Sequence, residues 1–182
     1  EPKHKPRVCD DGAESGLNET TSRSEKLVCS SVDEIVALIV ELGAAGFKDL
    51  KGWAIDELKA YRQIPIHPDE RKYAVVAVLD PATRELRYFV MLGHSFGFTS
   101  AVYNYNRRPL FMQYILTKIF RIATLHYYDD RFGVEPESTV ESAAQTTQAV
   151  FDLLGILIEK SGEKVQRPRE RPEILGVLFD LT

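Results

Sequence analysis

The stretch Leu125-His126-Tyr127-Tyr128-Asp129-Asp130-Arg131-Phe132-Gly133 sets the frame for the rest of the chain. Apolar and aromatic residues lead into two adjacent carboxylates, and a second β-rich run follows. Arg121 to Tyr128 reads as a strand, Asp129-Asp130 as a bend, and Arg131 to Val134 as the return. Neighbouring carboxylates repel and raise each other's pKa unless a cation sits beside them. In a regular strand successive side chains face opposite ways, so both acids approach one site only where the alternation breaks. A polar β-turn accounts for the same residues, since Asp is at home in turns. Asp56 adds weight to a metal, because it ends the short apolar run Gly52-Trp53-Ala54-Ile55. With 53–56 beside 122–128, Asp56 and Asp129 project from neighbouring strand ends. Hard oxygen ligands from two strands suit Mg²⁺. Two such ions about 3.5–4 Å apart stabilise the attacking and leaving oxygens of phosphoryl transfer.

Outward from this centre, strands and helices are mixed. Ser31-Val32-Asp33-Glu34 is a capping box, and Ile35, Leu38, Ile39 and Leu42 recur at helical spacing until Gly43 and Gly46. Tyr73 to Leu79 and Glu85 to Leu92 pair as a hairpin around Asp80-Pro81-Ala82-Thr83, with Leu86, Tyr88, Val90 and Leu92 on one face. Thr99 caps a helix running toward Phe120, kinked at Pro109, with Ile115 and Ile119 on its buried stripe. Ser138-Thr139-Val140-Glu141 opens another helix, whose inner face is Val140, Ala143, Ala144, Thr147, Val150, Phe151 and Leu154. Glu173 to Leu181 closes the chain as a strand. The order β, ββ, α, β–β, α, β predicts an α+β fold with an antiparallel sheet, helices on one face, and a ferredoxin-like split βαβ core.

Composition bounds the function. A chain of 182 residues with 44% hydrophobic and 27% charged residues suits one compact domain with a proper core. The longest apolar run, Ile35 to Val40, is far too short for a membrane span. Two cysteines, Cys9 and Cys29, make no disulfide framework and sit in no metal-ligand spacing with a His. Without a secretory leader or initiator Met, the expectation is a piece of a longer intracellular protein, cytoplasmic or nuclear and not secreted. A net charge of −4 argues against a surface that clings to nucleic acid everywhere, but not against local basic paths. The candidates are Lys3, Lys5 and Arg7; Arg107 and Arg108; and the stretch Lys160 to Arg171. Each reads equally as a solvated face.

Beyond the local chemistry, the motifs resemble those of retroelement reverse transcriptases. Asp56-Glu57-Leu58-Lys59-Ala60-Tyr61-Arg62-Gln63-Ile64-Pro65-Ile66 looks like their first catalytic motif, and Tyr127-Tyr128-Asp129-Asp130 like their Tyr-x-Asp-Asp motif. Lys5-Pro6-Arg7-Val8-Cys9-Asp10-Asp11 with Leu17-Asn18 is similar to the fingers motif. Gly97-Phe98-Thr99-Ser100-Ala101 resembles the motif before the long palm helix. Leu154-Gly155 through Lys164 resembles motif D, and Ile174-Leu175-Gly176-Val177 the primer-grip hairpin. The six stand in family order across nearly the whole chain. The chain departs from the family where the usual Leu-Pro-x-Gly stands as His94-Ser95-Phe96-Gly97.

The resemblance implies a polymerase palm over 52–182 with a partial fingers arm and helix over 1–51, the thumb, connection and RNase H regions being absent. It implies an RNA-directed DNA polymerase fragment of a retroelement polyprotein, adding dNTPs to a primer on an RNA or DNA template. Asp56, Asp129 and Asp130 would hold two Mg²⁺ ions, with Mn²⁺ as a substitute. Tyr61 would be the steric gate against a 2′-hydroxyl. Phe96 and Gly97 would border the nucleotide, and Lys5 and Arg7 would reach its triphosphate. Lys164 would protonate the leaving pyrophosphate, and Leu175 and Gly176 would seat the primer end. His94 and His126 read as structural. The resemblance leaves the oligomeric state open. Two other readings remain: a catalytically silent nucleic-acid- or protein-binding module of the same origin, and an RNA-dependent RNA polymerase palm, which Tyr61 disfavours.

Overall fold

A computed structural model describes residues 9–22, 24–160 and 166–182. The chain divides into two compact units, one made of residues 1–26 and 60–105, the other of 27–59 and 106–182.

The second unit is built on an antiparallel sheet of four strands. These are β1 (Leu50–Asp56), β4 (Thr124–Tyr127), β5 (Asp130–Pro136) and β6 (Gln166–Arg169), in the order β4-β5-β1-β6. Strand β5 is buried at five successive positions, Arg131 to Glu135, which is the burial expected of a central strand covered on both faces. Strand β1 therefore pairs with β5, not with the run before the acids as the sequence suggested, and β5 lies between β1 and β4. A two-residue turn folds β5 directly back on β4, and this places it inside.

Side chains alternate across the sheet. Trp53 and Ile55 join one core with Met112, Leu116, Val140, Val150 and Phe151. Leu50, Ala54, Phe132 and Val134 join another with Ile35, Ile174, Phe179 and Leu181. The first core is shared with α2 (Thr99–Tyr114) and α3 (Glu137–Leu153), and the second with α1 (Val32–Ala44) and the C-terminal residues. The α+β class and the four-stranded antiparallel sheet with helices packed on it are as the element order predicts. The helices are not confined to one face, however: α2 and α3 cover one side and α1 the other, because alternating strand residues leave both faces of the sheet apolar. Trp53 lies opposite Gly133 in the β1–β5 register, and its ring fills the space a side chain at 133 would take.

Helix α1 starts as its sequence indicates. The Glu34 carboxylate accepts hydrogen bonds from the Ser31 backbone N–H and hydroxyl, and these hold its pKa below the usual carboxylate range. Helix α3 starts differently. It begins at Glu137, so Ser138 lies inside the helix instead of capping it. The Glu137 N–H finds the Asp49 carbonyl at 2.7 Å, and Thr139 donates to Glu135 at 3.1 Å. Tertiary partners thus take the place of a local cap. On α3, Val140, Ala143, Thr147, Val150 and Phe151 are buried, whereas Leu154 lies past the helix end and is 48% exposed.

Helix α2 carries Pro109 in its interior and passes into a π-type turn over Ile115–Ile119. Its buried residues include Ala101, Tyr105 and Met112, followed by Leu116; Ile119, expected on the stripe, is 65% exposed. The wider π turn shifts the phase of the face by one residue. The C-terminal strand is two short strands, β7 (Glu173–Ile174) and β8 (Val177–Leu178), joined through Leu175-Gly176.

In the first unit, β2 (Val75–Leu79) and β3 (Leu86–Val90) pair as the expected hairpin. Leu86, Tyr88, Val90 and Leu92 are all exposed, as are Phe89, Val75, Val78 and Leu79. No helix among the described residues is long and apolar enough to cross a membrane.

Candidate active site

Backbone register sets two carboxylates against each other, with a third in the adjoining turn. Asp56 ends β1, and Asp130 begins β5 directly opposite it. Residues directly opposite in an antiparallel pair lie on the same face, with Cβ atoms roughly 4.5–5.5 Å apart. Asp129 occupies the turn between Tyr127 and Asp130, which pair across the β4–β5 hairpin. Tyr128, the first turn residue, has φ +49°, whereas Asp129 is not in the left-handed region. These are the φ signs of a type II′ turn, the sort that matches strand twist in a two-residue hairpin. A bulky residue at φ > 0 is strained and persists only when its surroundings fix it. One fixing contact is visible: the Glu57 N–H donates to the Asp129 carbonyl at 3.0 Å. The bend is therefore Tyr128-Asp129, one residue earlier than expected, and Asp130 belongs to a strand.

Asp56 is 7% exposed, and Asp129 and Asp130 are half-buried. The set offers only hard carboxylate oxygens, and its like charges face each other across a strand pair, an arrangement that a divalent cation relieves. The donor chemistry and the register thus fit Mg²⁺ or Mn²⁺. Among the described residues no three Asp, Glu, His or Cys side chains are gathered into a formed metal centre.

A cleft of about 370 Å³ runs from Asp130 to the C-terminal hairpin. Asp130 and Phe132 line one part of it, and Gln166, Ile174, Leu175 and Gly176 another. Leu175 and Gly176 both have positive φ, +52° and +75°, as a type I′ hairpin turn requires. The cleft therefore brings Asp130 together with the two residues assigned to the primer end.

The residues assigned to the nucleotide form a separate group in the first unit. The Tyr61 ring meets the Phe96 ring edge-on at 4.9 Å and the Tyr105 ring at 4.8 Å. Gly97 has φ +96°, and a Cβ there would lie 1.9 Å from the Asp10 carbonyl oxygen, so only glycine fits. Asp10 donates its N–H to the Phe96 carbonyl at 3.0 Å, and its carboxylate holds Arg62 at 3.0 Å. Arg62 also donates to Ser95 at 3.0 Å. Asn18 donates to the Gly97 carbonyl at 2.9 Å and accepts the Thr99 N–H at 2.8 Å. The start of α2 is thus capped by Asn18, distant in sequence, and Thr99 is the residue capped. Asp10, Asn18 and Arg62 shape the Phe96-Gly97 loop without the usual proline. Long-range contacts of this kind leave no local signal, although Asp10 and Asn18 both fall inside the quoted fingers motif.

Lys5, Arg7 and Lys164 lie outside the described residues. Arg107 is exposed, but Arg108 is engaged by the buried carboxylate of Glu57 and does not stand open to a phosphate. Glu57, at 3% exposed, and Arg131, at 1%, were not visible as site residues in the sequence, because charged residues in or just past a strand are ordinarily read as solvated.

Both histidines sit in structural settings. His94 is near Asn104, 3.4 Å away, and burial lowers its pKa. His126 is 1% exposed; its Nε2 lies 3.1 Å from the Val28 carbonyl and its Nδ1 2.5 Å from the Gln113 side-chain amide. Burial, aided by the Arg131 charge, lowers its pKa from 6.5 to about 4. The unfolded chain therefore binds this proton more readily than the folded one. Stability from His126 is complete above pH 6.5, falls as the pH drops toward 4, and is gone below that, a loss of roughly 3 kcal/mol. Unfolding free energies from urea melts at pH 7 and 4.5 should differ more for the wild type than for His126→Asn, by about 2 kcal/mol.

No protein-family model matches the chain, and no curated protein matches its sequence. Among solved structures, it is similar to the foamy viral protease-reverse transcriptase dRH, solved in complex with double-stranded DNA, with a TM-score of 0.75 and 14% identity. The match covers 100% of this chain and 28% of the viral one, so the chain spans little more than a quarter of that protein's length. The likeness gives the chain a reverse-transcriptase-like fold.

Proposed function

We propose that the chain is the palm and partial fingers of an RNA-directed DNA polymerase from a retroelement polyprotein, adding dNTPs to a primer by two-metal-ion phosphoryl transfer. The observation that carries this reading is the register that sets Asp56 against Asp130, with Asp129 in the turn between the strands. Asp56, Asp129 and Asp130 would hold the cations. When bound, such ions acidify the primer 3′-hydroxyl and neutralise charge on the triphosphate. The remaining work falls to positioning. Leu175 and Gly176 seat the primer end along the cleft they share with Asp130. Tyr61, braced by Phe96 and Tyr105, closes the space a ribose 2′-hydroxyl needs. Lys5 and Arg7 reach the triphosphate, and Lys164 supplies the proton for pyrophosphate. The likeness to a reverse transcriptase bound to double-stranded DNA supports a template–primer duplex as the partner.

The test is primer extension on an RNA template with Mg²⁺ or Mn²⁺, comparing wild type with Asp129→Asn. Extension by the wild type and none by the variant supports the reading. Template binding without extension, in this chain and in its full-length parent, supports a silent binding module in its place. Tyr61→Ala is expected to raise ribonucleotide incorporation relative to deoxynucleotide at least tenfold, since one lost steric exclusion is worth over ~1.4 kcal/mol. Unchanged sugar discrimination in single-nucleotide addition removes Tyr61 from this role.

A further inference from the structure

Behind the acid-bearing strand ends lie two buried polar contacts that metal ligation does not use. Arg131 follows Asp130 in β5, so strand alternation turns it away from the face of the two acids, and Glu57, just past the end of β1, is held on the α2 side by its ion pair. Adjacent residues of α2 hold them. Arg108 donates through Nη2 to the Glu57 carboxylate, and the pair is largely buried. Arg131 donates through Nη2 to the Pro109 carbonyl at 2.7 Å, and its guanidinium lies 5.8 Å from the centre of the Phe151 ring. Glu57 therefore acts at two points: its side chain is tied to α2, and its N–H holds the Asp129 carbonyl at 3.0 Å.

A buried ion pair is poor stabiliser material, because desolvation cancels much of the attraction and apolar residues fill the same space as well. What it adds is direction. We propose that Glu57, Arg108 and Arg131 are positioning residues, a polar clamp from α2 that sets the spacing and aim of the Asp56, Asp129 and Asp130 carboxylates for a divalent cation. The clamp rests on the reading of those three acids as cation ligands. Groups that orient metal ligands from behind typically change metal affinity 10- to 100-fold when removed.

Mn²⁺ titration of the chain, followed by water-proton relaxation, tests this beside urea melts and single-turnover primer extension. Asp56→Asn and Asp129→Asn are the ligand controls. Glu57→Gln and Arg108→Leu should each weaken Mn²⁺ binding at least tenfold, with kcat falling and the KM for dNTP within about threefold. Arg108→Lys, which keeps the charge, should stay within about threefold of wild type for Mn²⁺. A purely structural role would lower the urea midpoint and leave the Mn²⁺ affinity of the folded protein unchanged, and that result overturns the clamp. Where Arg108→Leu does not fold, the isosteric Glu57→Gln decides by the same tenfold criterion. Loss of Mn²⁺ in the ligand controls but not in Glu57→Gln overturns the clamp alone. Wild-type Mn²⁺ binding in both ligand controls overturns the metal reading, and the clamp with it.

Discussion

Nucleotide addition by an Asp56→Asn chain should fall at least ~10³-fold, about 4 kcal/mol of lost transition-state stabilisation, while the chain still folds in metal-free buffer. The two halves of this expectation come from one geometry. Asp56 and Asp130 are like charges in direct cross-strand register, and neutralising one removes their repulsion. The main-chain bonds around it are untouched, including that from the Glu159 N–H to the Asp56 carbonyl at 2.9 Å. The amide is nearly the same size as the carboxylate and keeps the position, which is 7% exposed, filled. Activity should therefore be lost without loss of the fold, as the proposed role of Asp56 requires. Single-turnover extension and urea melts in EDTA check both halves. An activity within tenfold of wild type would sink the assignment of Asp56.

Gly133→Ala should cost the sheet a large part of its stability. Its Cβ would stand 2.7 Å from the Ala123 carbonyl oxygen and 2.8 Å from two atoms of the Trp53 ring. Trp53 is 1% exposed and belongs to the core shared with Met112, Leu116 and Phe151, so the ring moves only by disturbing that packing. Overpacking of this kind costs about 3 kcal/mol, or roughly 6–12 °C in Tm for a chain of this size. The same residue sits on β5 three positions after Asp130, so the displaced strand should also disturb the acids. Calorimetry on the variant measures the first effect and Mn²⁺ titration the second. A Tm within 2 °C of wild type would show that the sheet yields at this point.

The sequence was most informative where structure is local. The Ser31–Glu34 box, the β2–β3 hairpin around Asp80-Pro81, and the inner face of α3 all follow from short-range pattern and turn chemistry. Strand β6 did not show itself, because Gln166-Arg167-Pro168-Arg169 has neither apolar alternation nor β-rich composition; it survives as an edge strand, where a proline is tolerated. Sheet order was misjudged because pattern says which segments are strands and not which are neighbours. The acids at 56, 129 and 130 stood out by their position at strand ends, yet the relation among them did not: the sequence set Asp56 beside Asp129, whereas Asp130 is the one in register with Asp56. The clamp behind them was least legible of all. Arg131 is a charged residue inside a strand and Glu57 stands just past the end of one, and their partners in α2 help make their burial tolerable.

The β2–β3 ribbon bears on how the protein behaves in the tube. Its strands read Val75-Val76-Ala77-Val78-Leu79 and Leu86-Arg87-Tyr88-Phe89-Val90, and nearly all of these side chains meet water. Kosmotropic salts strengthen apolar association, so ammonium sulfate should precipitate the chain at low concentration, and a hydrophobic dye such as ANS should fluoresce with the folded protein. Exchanging Tyr88 and Phe89 for Lys and Thr would place a charge on an uncovered strand, a gatekeeping device that natural sheets use against clumping. Such a variant would be the practical starting material for concentrated work.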